Sequence, residues 1–491
     1  MMQTRREQVQ AHRFVVSRLT AGLLRQDPDV AQPPTRPTYR GLVIGAFLGV
    51  AIALGFFVVG FFKPLPSTAW KDGKTLVIEE GTGNRYLYDG TSLRPVRNYT
   101  SARLIAGADL KTATLPADAL AGTPHGGPVG IEAAPDRLPT HVSNAPWNVC
   151  VEQTAADSSP NTALIVGHTV SGTTVPDQQA ILVRDDRATY YLIWHSTRFK
   201  LTAGQKGSAA LGYATAQPVA VSSAFLNEVP SGIDMAMPEL PSLGETGTAV
   251  DGRQTRVGQV FAVDTPGSGK QYFLMLRGGL VPLTPTQAAL TLADPKVRAQ
   301  AYRGRPAAAM PLAASLLSST LDDTSSQAKE VRTTGATLPL TPPVLESLPA
   351  SSAICVRTTP GTSTRIGVLT AQWRDVAAVN RPQAQTAGVQ TACVPVQQVF
   401  VPPSGGTVVR VLDSSGGATG ATDYLVADNG VKYRLASEKA EAALGADKEA
   451  HPALPSPLLS LLPTGPVLSP ELASAGQQKY DAMTDCQDGH A

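Results

Sequence analysis

The sequence predicts an α+β protein with a single membrane-spanning helix near its N-terminus, followed by an extracytoplasmic region of four β-β-α-type repeats around a central β-rich domain. Three observations predict it. The run Gly41 to Phe62 carries no charged or strongly polar side chain; four later stretches share one strand-turn-strand-helix grammar; two β-rich segments that interrupt them hold Cys150, Cys355 and Cys393.

The leader comes first. In "TRREQVQAHRFVVSRLTAGLLRQDPD" the residues Val9, Phe14, Val15, Leu19, Leu23 and Leu24 recur near helical spacing, with Arg5, Arg6, Arg13, Arg18 and Arg25 interleaved. That pattern predicts a basic amphipathic helix, ended at Asp27-Pro28 because proline cannot continue it. The stripe of Val9, Phe14, Val15, Leu19 and Leu23 suits either of two partners, the anionic inner leaflet or a cytoplasmic protein surface. The linker "PPTRPTYR" closes this segment, residues 1–40.

The span, residues 41–62, follows. At about 1.5 Å per residue it reaches across the roughly 30 Å hydrocarbon layer as a helix. A cleaved signal sequence fits badly, because its apolar core runs only about 7–15 residues behind a short leader. Residues 1–40 carry seven Arg against Glu7, Asp27 and Asp29, which favours a cytoplasmic N-terminus. Close to the span, however, Arg25, Arg36 and Arg40 are matched by Lys63, Lys71 and Lys74. The cysteines decide the orientation: Cys150, Cys355, Cys393 and Cys486 all follow the span and form no CxxC pair. An even number of isolated cysteines in an exported domain indicates disulfides.

The repeats are read from "KTLVIEEGTGNRYLYDG", "AILVRDDRATYYLIWHS", "GQVFAVDTPGSGKQYFLML" and "TVVRVLDSSGGATGATDYLVADNG", each an apolar run, a turn, and a second strand opened by an aromatic (Tyr86, Tyr190 and Tyr191, Tyr272, Tyr424). A basic or Pro residue beside Leu or Val comes next, then an Ala-rich helix, and Pro precedes a second short apolar helix. Such alternation bounded by Gly turns marks hairpins. The boundaries are repeat 1 at 63–132, the first central segment at 133–178, repeat 2 at 179–243, repeat 3 at 244–324, the second central segment at 325–402, and repeat 4 with a tail at 403–491.

Composition and motifs bound the chemistry. With 16% charged residues and a net charge of +2 the chain has no field to gather nucleic acid. The stretch "DTPGSGKQ" resembles a phosphate-binding loop, yet that loop needs G-x-x-x-x-G-K-[ST] opening a helix. Here Asp264 stands at the first Gly position, Gln271 follows Lys270, and "QYFLML" is a strand pattern. Gly267, Gly269 and Lys270 would bind a nucleotide only if the chain were an ATPase; as a hairpin tip they need no ligand. G-x-S-x-G and HExxH are absent, and His12, His125, His141, His168, His195, His451 and His490 are scattered, so no catalytic residue, metal site or cofactor is expected. The acids Glu79-Glu80, Asp185-Asp186 and Asp322-Asp323 are read as solvated turns.

"RREQVQAHRFVVSRLTAGLLRQDPD" ahead of one span, "GKTLVIEEGTGNRYLYDG" after it, "PWNVC", and "GSGKQYFLMLRGGLVPLTPTQAAL" together resemble the EccB family, a core membrane component of the type VII (ESX) secretion machinery of actinobacteria. The resemblance runs nearly end to end. It implies a structural subunit of the plasma membrane with an elongated extracytoplasmic domain, assembled with EccC, EccD and EccE and further EccB copies in a six-fold complex. It also implies a Cys150–Cys355 disulfide, which leaves Cys393 with Cys486. Two other readings stand beside it: an ATP-hydrolysing secretion component, and a single-pass cell-wall-binding or sensor protein.

Overall fold

The computed structural model describes the chain apart from residues 1–4, 26–35, 62–67, 140–144, 155–158, 266, 268, 361–363, 380, 383–385, 413–421, 447–450 and 482–491. It divides into two units, Met1–Trp70 and Lys71–Ala491.

The first unit contains helix α1 (Arg5–Arg25) and helix α2 (Arg36–Phe61). On α1, Val9, Phe14, Val15, Leu19 and Leu23 are between 51% and 82% exposed, so the apolar stripe is uncovered within the chain. The stop expected at Asp27-Pro28 lies outside the described residues. Helix α2 starts at Arg36, ahead of the expected Gly41, so the second half of the supposed linker is helical. Pro37 stands in its first turn, where a missing N–H costs nothing. Phe62 lies outside the described residues. Within α2, Tyr39–Phe56 is long and apolar enough to cross a membrane and none of it is buried.

The second unit holds five sheets. Four share one strand order. The first contains β1 (Thr75–Glu79), β2 (Arg85–Tyr88), β3 (Leu93–Pro95) and β4 (Lys111–Leu115) in the order β3-β2-β1-β4. The second contains β8 (Gln179–Arg184), β9 (Tyr190–Trp194), β10 (Thr197–Leu201) and β11 (Val219–Ala220), ordered β10-β9-β8-β11, with β16 (Val344–Leu345) added on β8. The third is β12 (Val260–Thr265), β13 (Gly269–Met275), β14 (Leu280–Leu283) and β15 (Met310–Pro311), ordered β14-β13-β12-β15. The fourth is β21 (Gly406–Leu412), β22 (Asp423–Ala427), β23 (Lys432–Arg434) and β24 (Ala453–Pro455), ordered β23-β22-β21-β24. In each, two antiparallel hairpins are followed by a crossover that returns the last strand parallel to the first. Three of the crossovers open with a helix whose first turn is capped: Asn98 accepts from Ser101 N–H, Ser437 from Ala440 N–H, and Thr284 forms a capping box with Gln287 ahead of Pro285. Each side-chain oxygen satisfies a backbone donor that the helix start leaves open.

The β-β-α unit expected from sequence is therefore short by two strands. The residues read as a basic or Pro residue beside Leu or Val are a third strand, and the segments before the second helix supply a fourth. These strands are two to five residues long, and β3, β14, β15 and β24 contain proline. Short proline-bearing edge strands lack the apolar run by which strands are found. Tyr272 does not open its strand either. Pairing continues to the hairpin tip, Asp264 opposite Lys270 and Thr265 opposite Gly269, so β13 begins at Gly269.

The fifth sheet is central, ordered β19-β20-β6-β5-β17-β18-β7, from β5 (Trp147–Glu152), β6 (Thr162–Ile165), β7 (Thr173–Thr174), β17 (Ser352–Thr359), β18 (Arg365–Gln372), β19 (Arg381–Pro382) and β20 (Gln398–Phe400). Alternation along β5 separates two cores, because successive side chains of a strand point to opposite faces. Trp147, Val149 and Val151 join Ile354 and Val356 in a cluster with Ile181 and Phe225 of the second sheet's segment and Val409, Val426 and Leu458 of the fourth's. Cys150 joins Ala163, Ile165, Cys355, Leu369 and Trp373 on the other face. A further core links Leu104 and Ile131 to Tyr433 and Leu468, so the helix Tyr99–Ala106 of the first crossover packs against the fourth sheet's unit. Leu290 enters the core of Leu182, Leu192 and Phe199, which places the third sheet's helix against the second sheet.

Segment 325–345, expected as the start of the second central segment, serves other sheets. Helix Ser326–Thr337 buries Ala328 and Val331 in the third sheet's core, and β16 extends the second sheet.

Candidate functional site

The hairpin that resembled a phosphate loop is a two-stranded turn. Gly267 and Gly269 both take positive φ, 85° and 72°, a conformation that glycine reaches without steric cost. Lys270 and Gly269 lie exposed in β13, in register with Asp264 and Thr265, and the next helix starts only at Pro285. Among the described residues no helix N-terminus meets Lys270, which sits in a strand and not at the start of the helix that a phosphate-binding loop opens.

His195, His168 and the acids Asp185, Glu79 and Asp322 are engaged locally. His195 stacks on Trp194 at 3.8 Å between ring centroids, and its Nε2 lies 3.0 Å from the Asp177 carbonyl. His168 meets the Phe400 ring edge-on. Asp185 accepts from the N–H groups of Arg187 and Thr189, closing the β8–β9 turn. Glu79 accepts from Thr82 and Asn84, and those bonds hold its carboxyl below the usual range. Asp322 departs from the expected solvated turn: it is buried and accepts from Thr324 and Ser325 N–H. Burial pushes its carboxyl up, but the Ser325 hydroxyl together with those backbone bonds outweighs it and the net shift is downward.

Cys150 and Cys355 stand directly opposite each other on β5 and β17 and are joined by a disulfide. Cys393 is also disulfide-bonded. Cys486 lies outside the described residues.

One polar cluster was not legible in the sequence, because its members share no spacing motif. In the fourth sheet Arg410 of β21 pairs with Asp423 of β22, and its guanidinium donates twice to that carboxylate, at 3.0 and 2.9 Å. Parallel pairing sets Ala453 of β24 against Arg410, whose N–H donates to the Pro452 carbonyl. This brings His451 beside Asp423, Nδ1 lying 3.5 Å from Oδ2. Ser437 caps helix Glu438–Leu444 and turns Glu441 towards the same place. The hydrogen bond to Asp423 is the main cause that pushes the Arg410 guanidinium up, and the Glu441 charge adds to it. Donor atoms of Asp423, Glu441 and His451 all lie within 4.8 Å of one another. Asp423 is 7% and Glu441 6% exposed, and the His451 side chain is fully buried. Neither ring nitrogen of His451 has a hydrogen-bond partner among the described residues.

Comparison with known proteins places this architecture. A chain of the intact ESX-5 inner membrane complex superposes with a TM-score of 0.61 at 21% identity, covering 98% of this chain and 97% of that one. The EccB3 dimer from the ESX-3 core complex gives 0.60 at 23% identity, over 81% of this chain and 99% of the other. Among curated relatives, the ESX-3 secretion system ATPase EccB3 of Mycolicibacterium smegmatis is 25% identical over 485 residues, 94% of this chain and 89% of the relative. The ESX-1 secretion system ATPase EccB1 of Mycobacterium tuberculosis is 28% identical over 294 residues, 58% of this chain and 60% of the relative. The family model "Type VII secretion system ESX-1, transport TM domain B" matches residues 1–481. With leader helix, apolar helix and all five sheets inside that match, the chain belongs to the EccB family of type VII (ESX) secretion systems.

Proposed function

We propose that this chain is a non-catalytic structural subunit of a type VII secretion membrane complex. The observation that carries the proposal is the extent of the family match, which takes in α1, α2 and the sheet-bearing unit together, residues 1–481. In this reading α2 crosses the plasma membrane once, α1 is cytoplasmic, and Lys71–Ala491 is extracytoplasmic, where disulfides persist. The four sheets of like order are copies of one unit around the central sheet. The uncovered stripe of Val9, Phe14, Val15, Leu19 and Leu23 docks the chain to EccC-, EccD- and EccE-like subunits, and further copies of the chain complete a six-fold assembly.

The relatives' names carry the second reading, ATP hydrolysis. Lys270 supports it poorly, since it is a strand residue at an exposed hairpin. Two measurements test the proposal. Full-length chain solubilised in mild detergent is expected to co-purify with the other membrane subunits, and a chain lacking Arg5–Arg25 to lose them while its extracytoplasmic unit still melts cooperatively. Absence of co-purifying subunits from the full-length chain overturns the structural role; their retention by the truncated chain removes docking from α1. The purified chain is expected to show no ATP turnover, and turnover abolished by Lys270→Ala would instead establish the ATPase.

A further inference from the structure

We propose that Arg357 and Arg365, with Thr359 beside them, form a binding site for a phosphate group on the central sheet. Three features converge on it. First is register. Strand β17 sets Arg357 opposite Gly367 and Thr359 opposite Arg365 of β18, and on its other side sets Arg357 opposite Asn148 of β5. Cys150, Cys355 and Leu369 share one face of this sheet, and alternation carries Asn148, Arg357, Thr359, Arg365 and Gly367 to the same face. Arg365 is the diagonal neighbour of Arg357, at a spacing of roughly 7–8 Å that long side chains bridge.

Second is positive charge without a counter-charge. Asn148 is buried, and its Nδ2 donates to the His168 carbonyl, which turns Oδ1 to accept from Arg357 Nε at 3.1 Å. Arg357 Nη2 donates to the Val170 carbonyl. These bonds use two of a guanidinium's five N–H groups, and no carboxylate takes the other three among the described residues. Burial pushes the Arg357 guanidinium down, and no neighbouring acid offsets it. Arg365 is exposed and likewise has no carboxylate partner among the described residues. Residues 360–364, which join the two strands, contain no acid. A cation held in place by two neutral acceptors and short of an anion is half of a charge-assisted pair.

Third is room. A Cβ on Gly367 would meet nothing within 4 Å, so the position that faces Arg357 and stands two residues from Arg365 is open. Gly172, by contrast, is packed on Leu369 and Thr370, so the segment that crosses this face closes it there and leaves Gly367 uncovered. The ligand class follows from the donors. One guanidinium fork saturates the two oxygens of a carboxylate, whereas two forks and a hydroxyl match the three or four oxygens of a phosphate, free or in a diester.

The test uses full-length chain in a neutral detergent, titrated calorimetrically with sodium phosphate and separately with glycerophosphoglycerol, each against sodium acetate at equal ionic strength. Wild type is expected to bind one phosphate group per chain and to melt higher with it than with acetate. Tighter binding of the diester assigns the site to a polymer or lipid headgroup, and tighter binding of inorganic phosphate to a free phosphate. Arg357→Gln and Arg365→Gln are each expected to weaken binding about tenfold, as loss of a charge-assisted fork does. Where Arg357→Gln fails to fold because Asn148 and Val170 lose their donor, the exposed Arg365 carries the comparison. Gly367→Val is expected to weaken binding as much with both charges in place; Gly367 lies outside the positive-φ region, so its backbone accepts a side chain. Arg374→Gln, an exposed arginine of helix Trp373–Val379, is expected to bind as wild type does. Wild type that binds no phosphate group, or is stabilised no more by phosphate than by acetate, overturns the site. Undiminished binding by both Arg365→Gln and Gly367→Val overturns it equally, and leaves Arg357 as a brace for the segment at Val170.

Discussion

Replacing Cys150 and Cys355 together by alanine is expected to lower the melting temperature of the full-length chain in detergent by roughly 2–6 °C. The two residues are 205 apart in sequence and yet face each other across β5 and β17, so their bond closes a long loop in the unfolded chain. Chain-entropy reasoning sets an upper value of about 5 kcal/mol for such a loop, and measured removals from smaller domains cost about 2–5 kcal/mol. The cost falls on the central sheet. Strands β5 and β17 are its middle, and one of their faces belongs to the core that also holds segments of the second and fourth sheets. Reducing agent on wild type removes the covalent link while leaving both sulfurs in their apolar cluster with Leu369 and Trp373. Comparison of wild type with the double variant, both reduced so that the Cys393 disulfide is open in each, therefore isolates the lost packing, and the remainder of the oxidised difference is the loop effect. Equal melting of oxidised wild type and the double variant would show that strand pairing alone holds the sheet.

Glu228→Gln is expected to stabilise the protein at alkaline pH by roughly 2–4 kcal/mol and to change little near pH 4.5. Glu228 ends helix Ser223–Glu228 among Phe225, Leu226 and Val229, is 4% exposed, and its Oε1 has no hydrogen-bond partner among the described residues. Burial pushes its carboxyl up from 4.5 to about 8. The direction follows from proton counting. Between those two values the folded chain holds a proton that the unfolded chain has released, so stability falls as pH rises from about 4.5 to about 8 and levels off above. The amide keeps the shape and removes the ionisation, so the wild-type minus variant difference isolates this one group. Denaturant melts at pH 5, 7 and 9 measure it. Differences that do not grow with pH would mean that the carboxylate reaches water or a cation in the folded state.

Local chemistry explains what could be read along the chain. The apolar run from Gly41 is a helix because its side chains carry nothing that needs water, and β1, β8, β12 and β21 are apolar runs bounded by turns. The P-loop likeness fails in the sequence on Asp264 and Gln271, and the register of β12 with β13 gives the physical reason: both flanks of Lys270 are committed to a hairpin. The third and fourth strands of each sheet leave little trace, because strands of two to five residues at sheet edges are set by their neighbours' backbone groups. Along the chain, the stretch 325–345 reads as continuous with residues 346–402, whereas Ala328 and Val331 have their apolar partners in the third sheet.

Residue order alone sufficed for the apolar helix, the apolar stripe on the leader helix, the first hairpin of each of the four like-ordered sheets and the family. Each of these depends on the sequence and period of neighbouring residues. Tertiary packing was needed to settle which strands return parallel to the first, which sheet shares a core with which, how deeply Glu228 is buried, and that Arg410, Asp423, Glu441 and His451 meet. Those outcomes depend on crossovers that bring residues tens of positions apart to one point, and on burial that changes a side chain's protonation without changing its identity.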